Sequence, residues 1–262
     1  MYKHLTKKDW LNAFGFDKNY HVDALIVDGG YKDRFSLFKV ALTKLQIKYK
    51  EEYLSDDFLQ KYIRSIILNN KYRIWFGNFY GSAALSEVVH WASLFGSNIN
   101  LLRGDCGGLS KGLKPNDLVI LTKVYGNESS TRMYAKETKN HIFNATDSIV
   151  KQIVETSKKH GIIPKIGKGV TCQAMIAETE EDIRAWQSQG YDCVEMEAST
   201  FYAVSNHFNV NVGALLIVAD NLAEDYLVTD KEFVSNSLNR DKLGQVQYDI
   251  LVDVMLKQIG ML

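Results

Sequence analysis

The chain has 262 residues, of which 46% are hydrophobic and 24% charged, with Lys+Arg and Asp+Glu both at 31. That length supports one large α/β domain with a sizeable core, and the neutral balance gives no global field for nucleic acid or an anionic membrane. The three cysteines (Cys106, Cys172, Cys193) form no Cys-x-x-Cys pair and no zinc spacing with the six histidines, so neither a disulfide scaffold nor a metal centre is expected.

In chain order, the opening MYKHLTKKDW lacks the apolar run of a secretory signal, and no segment reaches membrane-spanning length; a cytoplasmic location is expected. Leu5 to Leu11 reads as a short capped helix. Ala24 to Val27 reads as a buried strand leading into Asp28-Gly29-Gly30, with Arg34 close behind. Two glycines there allow a sharp turn and a close backbone approach to an anion, although a plain turn has the same composition. Asp56 to Leu68 carries Phe58, Leu59, Tyr62, Ile63, Ile66 and Ile67 at helical spacing and predicts one helix. Strand Arg73 to Phe76 and helix Ser82 to Phe95 follow. Strand Ile99 to Leu102 then meets Arg103-Gly104-Asp105-Cys106-Gly107-Gly108-Leu109, a glycine-rich turn whose backbone is crowded by a ligand or a neighbouring strand.

Leu118 to Val124 predicts a strand, Ser129-Ser130-Thr131 a polar loop or ligand contact, and Thr146 to Lys159 a helix stopped at Gly161. Ile162 to Val170 is the next strand, and Glu178 to Gln189 is a helix with an acidic start that stops at Gly190. Strands Cys193 to Met196 and Val210 to Val218 follow, and a terminal helix runs from Asp230 or Ser235 to Ile259. Two prolines, no linker and no repeat leave one domain over 23–262 with an N-terminal extension at 1–22. Strands alternating with helices predict a mainly parallel or mixed sheet covered on both faces, with ligands beyond the carboxyl ends of its strands.

The carboxylates stand at such ends. In Val194-Glu195-Met196-Glu197-Ala198, alternation puts Glu195 and Glu197 on one side and Met196 on the other. An acid before a helix is as readily a cap. Asp220 closes the longest apolar run, where partial desolvation raises a carboxyl pKa and suits proton donation; an Asx-turn is the alternative.

Together these segments resemble the nucleoside phosphorylase and nucleosidase superfamily, which includes purine nucleoside phosphorylase, uridine phosphorylase and methylthioadenosine/S-adenosylhomocysteine nucleosidase. Val194 to Ala198 resembles its Val-Glu-Met-Glu signature, Gly104 to Leu109 its glycine-rich turn, Asn116-Asp117-Leu118-Val119 its Gly-Asp-(Leu/Ile)-Val run, and Gly30 with Arg34 its first phosphate loop. The resemblance implies a three-layer α/β/α sandwich around a mixed, partly closed β-sheet, in a homo-oligomer such as a dimer or hexamer. It implies Met196 and Glu197 at the ribose and Asp220 at the purine N7. Glu195, Gly107 and Met175, at the base-packing position, would line the substrate. The uracil clamp would fall on Thr179 and Glu181, so purine is favoured.

The phosphate site departs from the pattern: Leu102 stands at the arginine position and Asp105 at the Ser/Thr position, with Arg103 displaced by one residue and turned to the other face. Water is therefore the expected acceptor, with Asp105, or second Asp33, activating it. No metal or cofactor is implied. The alternatives are phosphorolysis, with phosphate as co-substrate held by Arg34 and a rearranged Arg103, and a non-catalytic nucleoside-binding protein.

Overall fold

The computed structural model describes residues 1–224, 226–231 and 237–262. Strand β5 (Ile99–Gly108) is the seam of its sheet. One edge of β5 pairs in parallel with β10 (Asn211–Asn221) along its whole length. The other edge pairs first with β1 (Ala24–Gly29) and then, past Arg103, with β9 (Cys193–Glu195). Strands β6 (Leu118–Tyr125) and β8 (Lys165–Thr171) complete the circuit β10-β6-β8-β9-β5, so this half of the sheet closes on itself. Beyond β1 the open half continues through β4 (Tyr72–Phe79), β3 (Ile63–Leu68) and β2 (Tyr49–Glu52), while β7 (Ile142–Asn144) pairs with β6. Mixed parallel and antiparallel pairing in a partly closed sheet is the expected architecture.

Helices cover both faces. Leu25, Val27, Leu102 and Cys106 point into a core shared with α4 (Ala83–Leu94) and α8 (Ala198–His207). Their alternates Ala24, Ile26, Ile99 and Leu101 point into a second core under α2 (Phe35–Lys44), α6 (Asp147–Lys159) and the C-terminal helix (Ser237–Gln258). That two-residue period is the pleat. The expected start of the terminal helix at Ser235 lies outside the described residues, and the helix ends one residue before Ile259.

The predicted helix over Asp56 to Leu68 is half wrong. Asp57–Tyr62 is helix α3, capped by the Asp56 carboxylate, but Ile63–Leu68 is β3, antiparallel to β4. Ile63, Ile66 and Ile67 fit a helical stripe and a strand equally, and β-branched side chains favour the pleat. The deciding signal is Asn69-Asn70, both at positive φ (47° and 56°), where the Lys71 N–H donates to the Leu68 carbonyl at 2.9 Å. Consecutive positive φ values are what a tight hairpin demands. The glycine-rich segment after Leu102 is not a turn but the second half of β5. A Cβ on Gly107 would stand 3.1 Å from Asp220 Oδ1 and 3.2 Å from the Val194 side chain, so a neighbouring strand supplies the crowding.

Residues 1–22 pack onto the first core. Helix α1 (Lys7–Ala13) is capped by a reciprocal Thr6–Asp9 box. Trp10 and Phe14 stack at 5.6 Å, and both lie edge-on to Trp91 at 5.2 and 5.0 Å. The expected polar loop at 129–131 is a helical turn, α5 (Ser129–Tyr134), whose Ser130 and Thr131 hydroxyls bond to Thr200 on α8.

Candidate active site

Strand β1 ends in Asp28-Gly29-Gly30, and Asn78 of β4 holds the turn by donating to the carbonyls of Asp28, Gly30 and Lys32 at 3.0–3.2 Å. Gly30 lies at φ 143°, where only glycine is unstrained. A Cβ on Gly29 would stand 2.8 Å from Glu197 Oε2, and one on Gly30 would stand 3.7 Å from Arg34 Nη1. Two adjacent glycines thus separate the glutamate of the Val-Glu-Met-Glu run from the arginine of the first loop.

On the face toward the C-terminal helix lies a cluster of four charges. Arg103 is fully buried. Its Nε donates to Gln247 Oε1 at 2.7 Å, Nη1 to Asp28 Oδ1 at 3.2 Å and Nη2 to Asp105 Oδ1 at 2.9 Å. Arg34 Nη2 reaches Asp105 Oδ2 at 3.4 Å, and its Nη1 lies 3.8 Å from Asp28 Oδ1. Arg103 does turn away from Leu102, and the pleat carries Asp105 to the same face. Burial alone would depress the Arg103 pKa; the carboxylates of Asp105 and Asp28 outweigh it and raise it. Burial pushes Asp28 up to about 6 against the pull of Arg103 and Arg34. Arg103→Ala should cost about 3–5 kcal/mol of stability, because it strands the Asp28 carboxylate in the core. Urea denaturation of the purified variant checks this, and a shift below 1 kcal/mol would refute it.

Asp105, expected as a water activator, has each oxygen on a different guanidinium, so both oxygens are already engaged within the cluster. Asp33 is likewise committed: it pairs with Arg64 and accepts the Phe35 N–H at 3.0 Å, fixing the start of α2.

The two glutamates of the signature divide their roles. Glu195 accepts the N–H groups of Glu197 and Ala198 at 2.7 and 2.6 Å and the Thr171 hydroxyl, so it caps α8 from within and has no oxygen left over for substrate. Its expected place among substrate contacts is corrected on that ground. Glu197 Oε1 accepts the Gly81 N–H at 2.7 Å, while Oε2 faces Gly29. Burial raises both pKa values; Glu197 is raised further by the Glu195 charge, with Asp28 and Asp105 adding to it. Three donors offset part of the rise at Glu195, against one at Glu197, so of the pair Glu197 is raised the further. Met196 is half-buried, and its carbonyl accepts from Ser82 Oγ at 3.1 Å and Gln173 Nε2 at 2.6 Å.

At the far end of β5, Asp220 follows a register shift in β10 and stands opposite Gly107, which also pairs with Val194. It is nearly buried, and desolvation pushes its pKa up to about 6 against hydrogen bonds from backbone N–H groups. Glu178 lies close enough for Asp220 to raise its pKa further, behind burial as the larger cause. Glu197, across Gly29 from Arg103, and Asp220, opposite Gly107, thus both stand along the second half of β5. Met175 sits in a 3₁₀ turn after β8 and is 43% exposed. Thr179 forms the capping box of α7 (Glu180–Ser188) with Asp182, and Glu181 is exposed on that helix, so neither is a base clamp.

Sequence reasoning missed Asp28, Gln173, Glu178 and Gln247. Asp28 carried the same signal as Asp220, an acid closing an apolar strand. Gln173 and Gln247 bond to partners far away in the chain, and Glu178 meets the nearby Cys172 and the distant Asp220. Asn116, standing where the pattern has glycine, adopts φ 74°, the conformation glycine would supply. Among the described residues no three His, Cys, Asp or Glu side chains are grouped to hold a metal ion, and no helix is long and apolar enough to cross a membrane.

Residues 80–242 match the family model described as the phosphorylase superfamily. Among curated proteins the chain is 28% identical over 162 residues to the DeoD-type purine nucleoside phosphorylase of Clostridium beijerinckii, covering 62% of this chain and 63% of that one. It is 27% identical over 141 residues to the same protein of Clostridium novyi, covering 51% and 57%. The chain thus spans about three-fifths of the length of these curated relatives. Among solved structures it resembles Helicobacter pylori futalosine hydrolase (TM-score 0.66, 18% identity, covering 90% of this chain and 99% of that one). It also resembles Campylobacter jejuni 5'-methylthioadenosine/S-adenosyl homocysteine nucleosidase (TM-score 0.67, 16% identity, 90% and 99%). At these identities the likeness is one of fold.

Proposed function

The chain belongs to the phosphorylase superfamily, and from that premise we propose that it is an enzyme cleaving the N-glycosidic bond of a purine nucleoside, with water as the acceptor. Glu197 lies where ribose hydroxyls can donate to it, beside the Gly29–Gly30 turn. Asp220 retains its proton to about pH 6 and donates it to the departing base at N7. As the C1′–N9 bond breaks, its electron pair leaves with the base and positive charge develops at C1′. The Glu197 carboxylate faces that charge. Water adds at C1′, and the proton it sheds balances the one given up by Asp220. The engagement of the Thr179 and Glu181 positions in helix α7 supports purine over uracil.

The observation that carries water over phosphate is Asp105. Its carboxylate already holds the free edges of Arg34 and Arg103, so an incoming phosphate meets a negative charge instead of two guanidinium groups. The named activity of the phosphorylase relatives supports the other acceptor. Incubating purified protein with inosine or adenosine, with and without inorganic phosphate, separates the two. The expected product is free ribose at a rate independent of phosphate. Ribose 1-phosphate, formed only when phosphate is present, would overturn the hydrolytic assignment.

A further inference from the structure

Gln173 lies just past β8 and is exposed, yet every polar atom of its side chain is engaged. Oε1 accepts the Ser82 N–H at 3.0 Å. Nε2 donates one hydrogen to Ser82 Oγ and the other to the Met196 carbonyl at 2.6 Å, and Ser82 Oγ donates its own to the same carbonyl at 3.1 Å. This ring fixes the orientation of the amide: turned over, it would set two acceptors together at Met196 and two donors at Ser82. One side chain thus ties together the loops that follow β8, β4 and β9. Both anchors are one residue from the key contacts of Glu197. Met196 shares a peptide unit with Glu197, and the Glu197 N–H donates to Glu195 Oε2 at 2.7 Å, so that planar unit is held at both ends. Gly81 precedes Ser82, and its N–H donates to Glu197 Oε1 at 2.7 Å. Gly81 lies at φ 92°, and a Cβ on it would stand 3.1 Å from Gln173 Oε1, so the glutamine packs on the turn that presents that N–H.

We propose that Gln173 is a positioning residue for Glu197: its amide fixes the Met196–Glu197 peptide on one side and the Gly81–Ser82 turn on the other, and so holds the carboxylate between them. Without it the Met196 carbonyl keeps only Ser82 Oγ, and the Ser82 N–H at the start of α4 loses its acceptor. The control of Glu197 placement stands on these hydrogen bonds alone; only the cost to turnover rests on the glycosidic reading above. Moving a group that faces the reacting carbon by about 1 Å is enough to cost about 10²-fold. A glutamine that merely capped α4 would leave the Glu197 peptide where it is.

The experiment compares wild type, Gln173→Ala and Gln173→Glu by residue-resolved amide hydrogen exchange and by kinetics on inosine or adenosine. In the alanine variant, exchange at the Gly81 and Glu197 amides should rise at least about tenfold while the amides of β10 keep wild-type protection. On the nucleoside, kcat/KM should fall about 10²-fold, mostly in kcat. That loss should add nothing to the loss from Glu197→Gln but add in full to the loss from Asp220→Asn, because only the first pair acts through one group. If the alanine variant folds poorly, Gln173→Glu takes its place: it keeps an acceptor for the Ser82 N–H and loses the donor to the Met196 carbonyl, so exchange at Glu197 should rise there as well. Wild-type protection of Gly81 and Glu197 in a folded variant would overturn the proposal, and so would a kinetic loss that adds in full to that of Glu197→Gln. Absence of nucleoside cleavage by wild type would remove the glycosidic reading, while the exchange comparison would still decide the role of Gln173.

Discussion

Glu197→Gln is expected to lower kcat/KM by roughly 10³-fold while leaving the fold at least as stable as wild type at neutral pH. Glutamine keeps the shape of the side chain and the acceptor for the Gly81 N–H. What it lacks is the charge. In the empty site burial and the neighbouring Glu195 charge raise the Glu197 pKa to about 8, which favours its protonated form at neutral pH. Ribose hydroxyls supply the hydrogen-bond donors that the empty site lacks, and donors to a carboxylate favour its ionised form. Substrate binding therefore brings a negative charge to C1′ as positive charge forms there.

The effect on stability has the opposite sign from that of an ordinary ion-paired acid. With the folded pKa raised, the unfolded chain ionises first as pH rises, so the wild-type protein loses stability between the ordinary carboxylate range and the raised value. Glutamine does not titrate and escapes that loss. Steady-state kinetics beside urea denaturation at acid and mildly alkaline pH test both halves. A variant with near-normal turnover, or one whose inactivity tracks unfolding, would remove Glu197 from the reaction.

The degree to which this site could be read in advance follows from where each interaction lies. Glu197 and Asp220 each sit at a local transition, strand into helix or buried strand into turn, and such punctuation is visible in a single stretch of sequence. The fate of Asp105 is not local. It depends on Asp28 standing opposite Arg103 in the β1–β5 register and on Arg34 arriving from 71 residues away. Period-two reasoning correctly turned Arg103 to the far face, but nothing in the sequence said that two guanidinium groups would meet a carboxylate there. Glu195 was misassigned for a related reason: its backbone donors lie two and three residues ahead, but their geometry appears only once α8 begins at Ala198. The stretch Ile63 to Leu68 failed differently, since its apolar spacing satisfies both periods and the hairpin asparagines decide.

Asp220→Asn should cost about 10²–10⁴-fold in kcat/KM on a purine nucleoside, the range for loss of a general acid. Its effect should depend on the leaving group. A purine leaves as an anion unless protonated, so the donor matters most there. A riboside with a phenolate leaving group stable without a proton should be cut by the variant at nearly the wild-type rate. The pH profile provides a second signature. With the Asp220 pKa at about 6, the protonated fraction falls roughly tenfold per unit above that value, leaving about a tenth at pH 7. Wild-type kcat/KM on purine nucleosides should therefore decline above about pH 6, and the variant should lack that limb. Because the raised pKa also means the unfolded aspartate ionises first, the fold gains rather than loses from a neutral side chain here as pH rises through 6. Asparagine is thus expected to be tolerated. Equal losses on purine and phenolate substrates would mean that Asp220 positions other groups instead of moving a proton. An unchanged alkaline limb in the variant would assign the titrating group elsewhere, with Glu178, whose pKa burial also raises, the next carboxyl to replace.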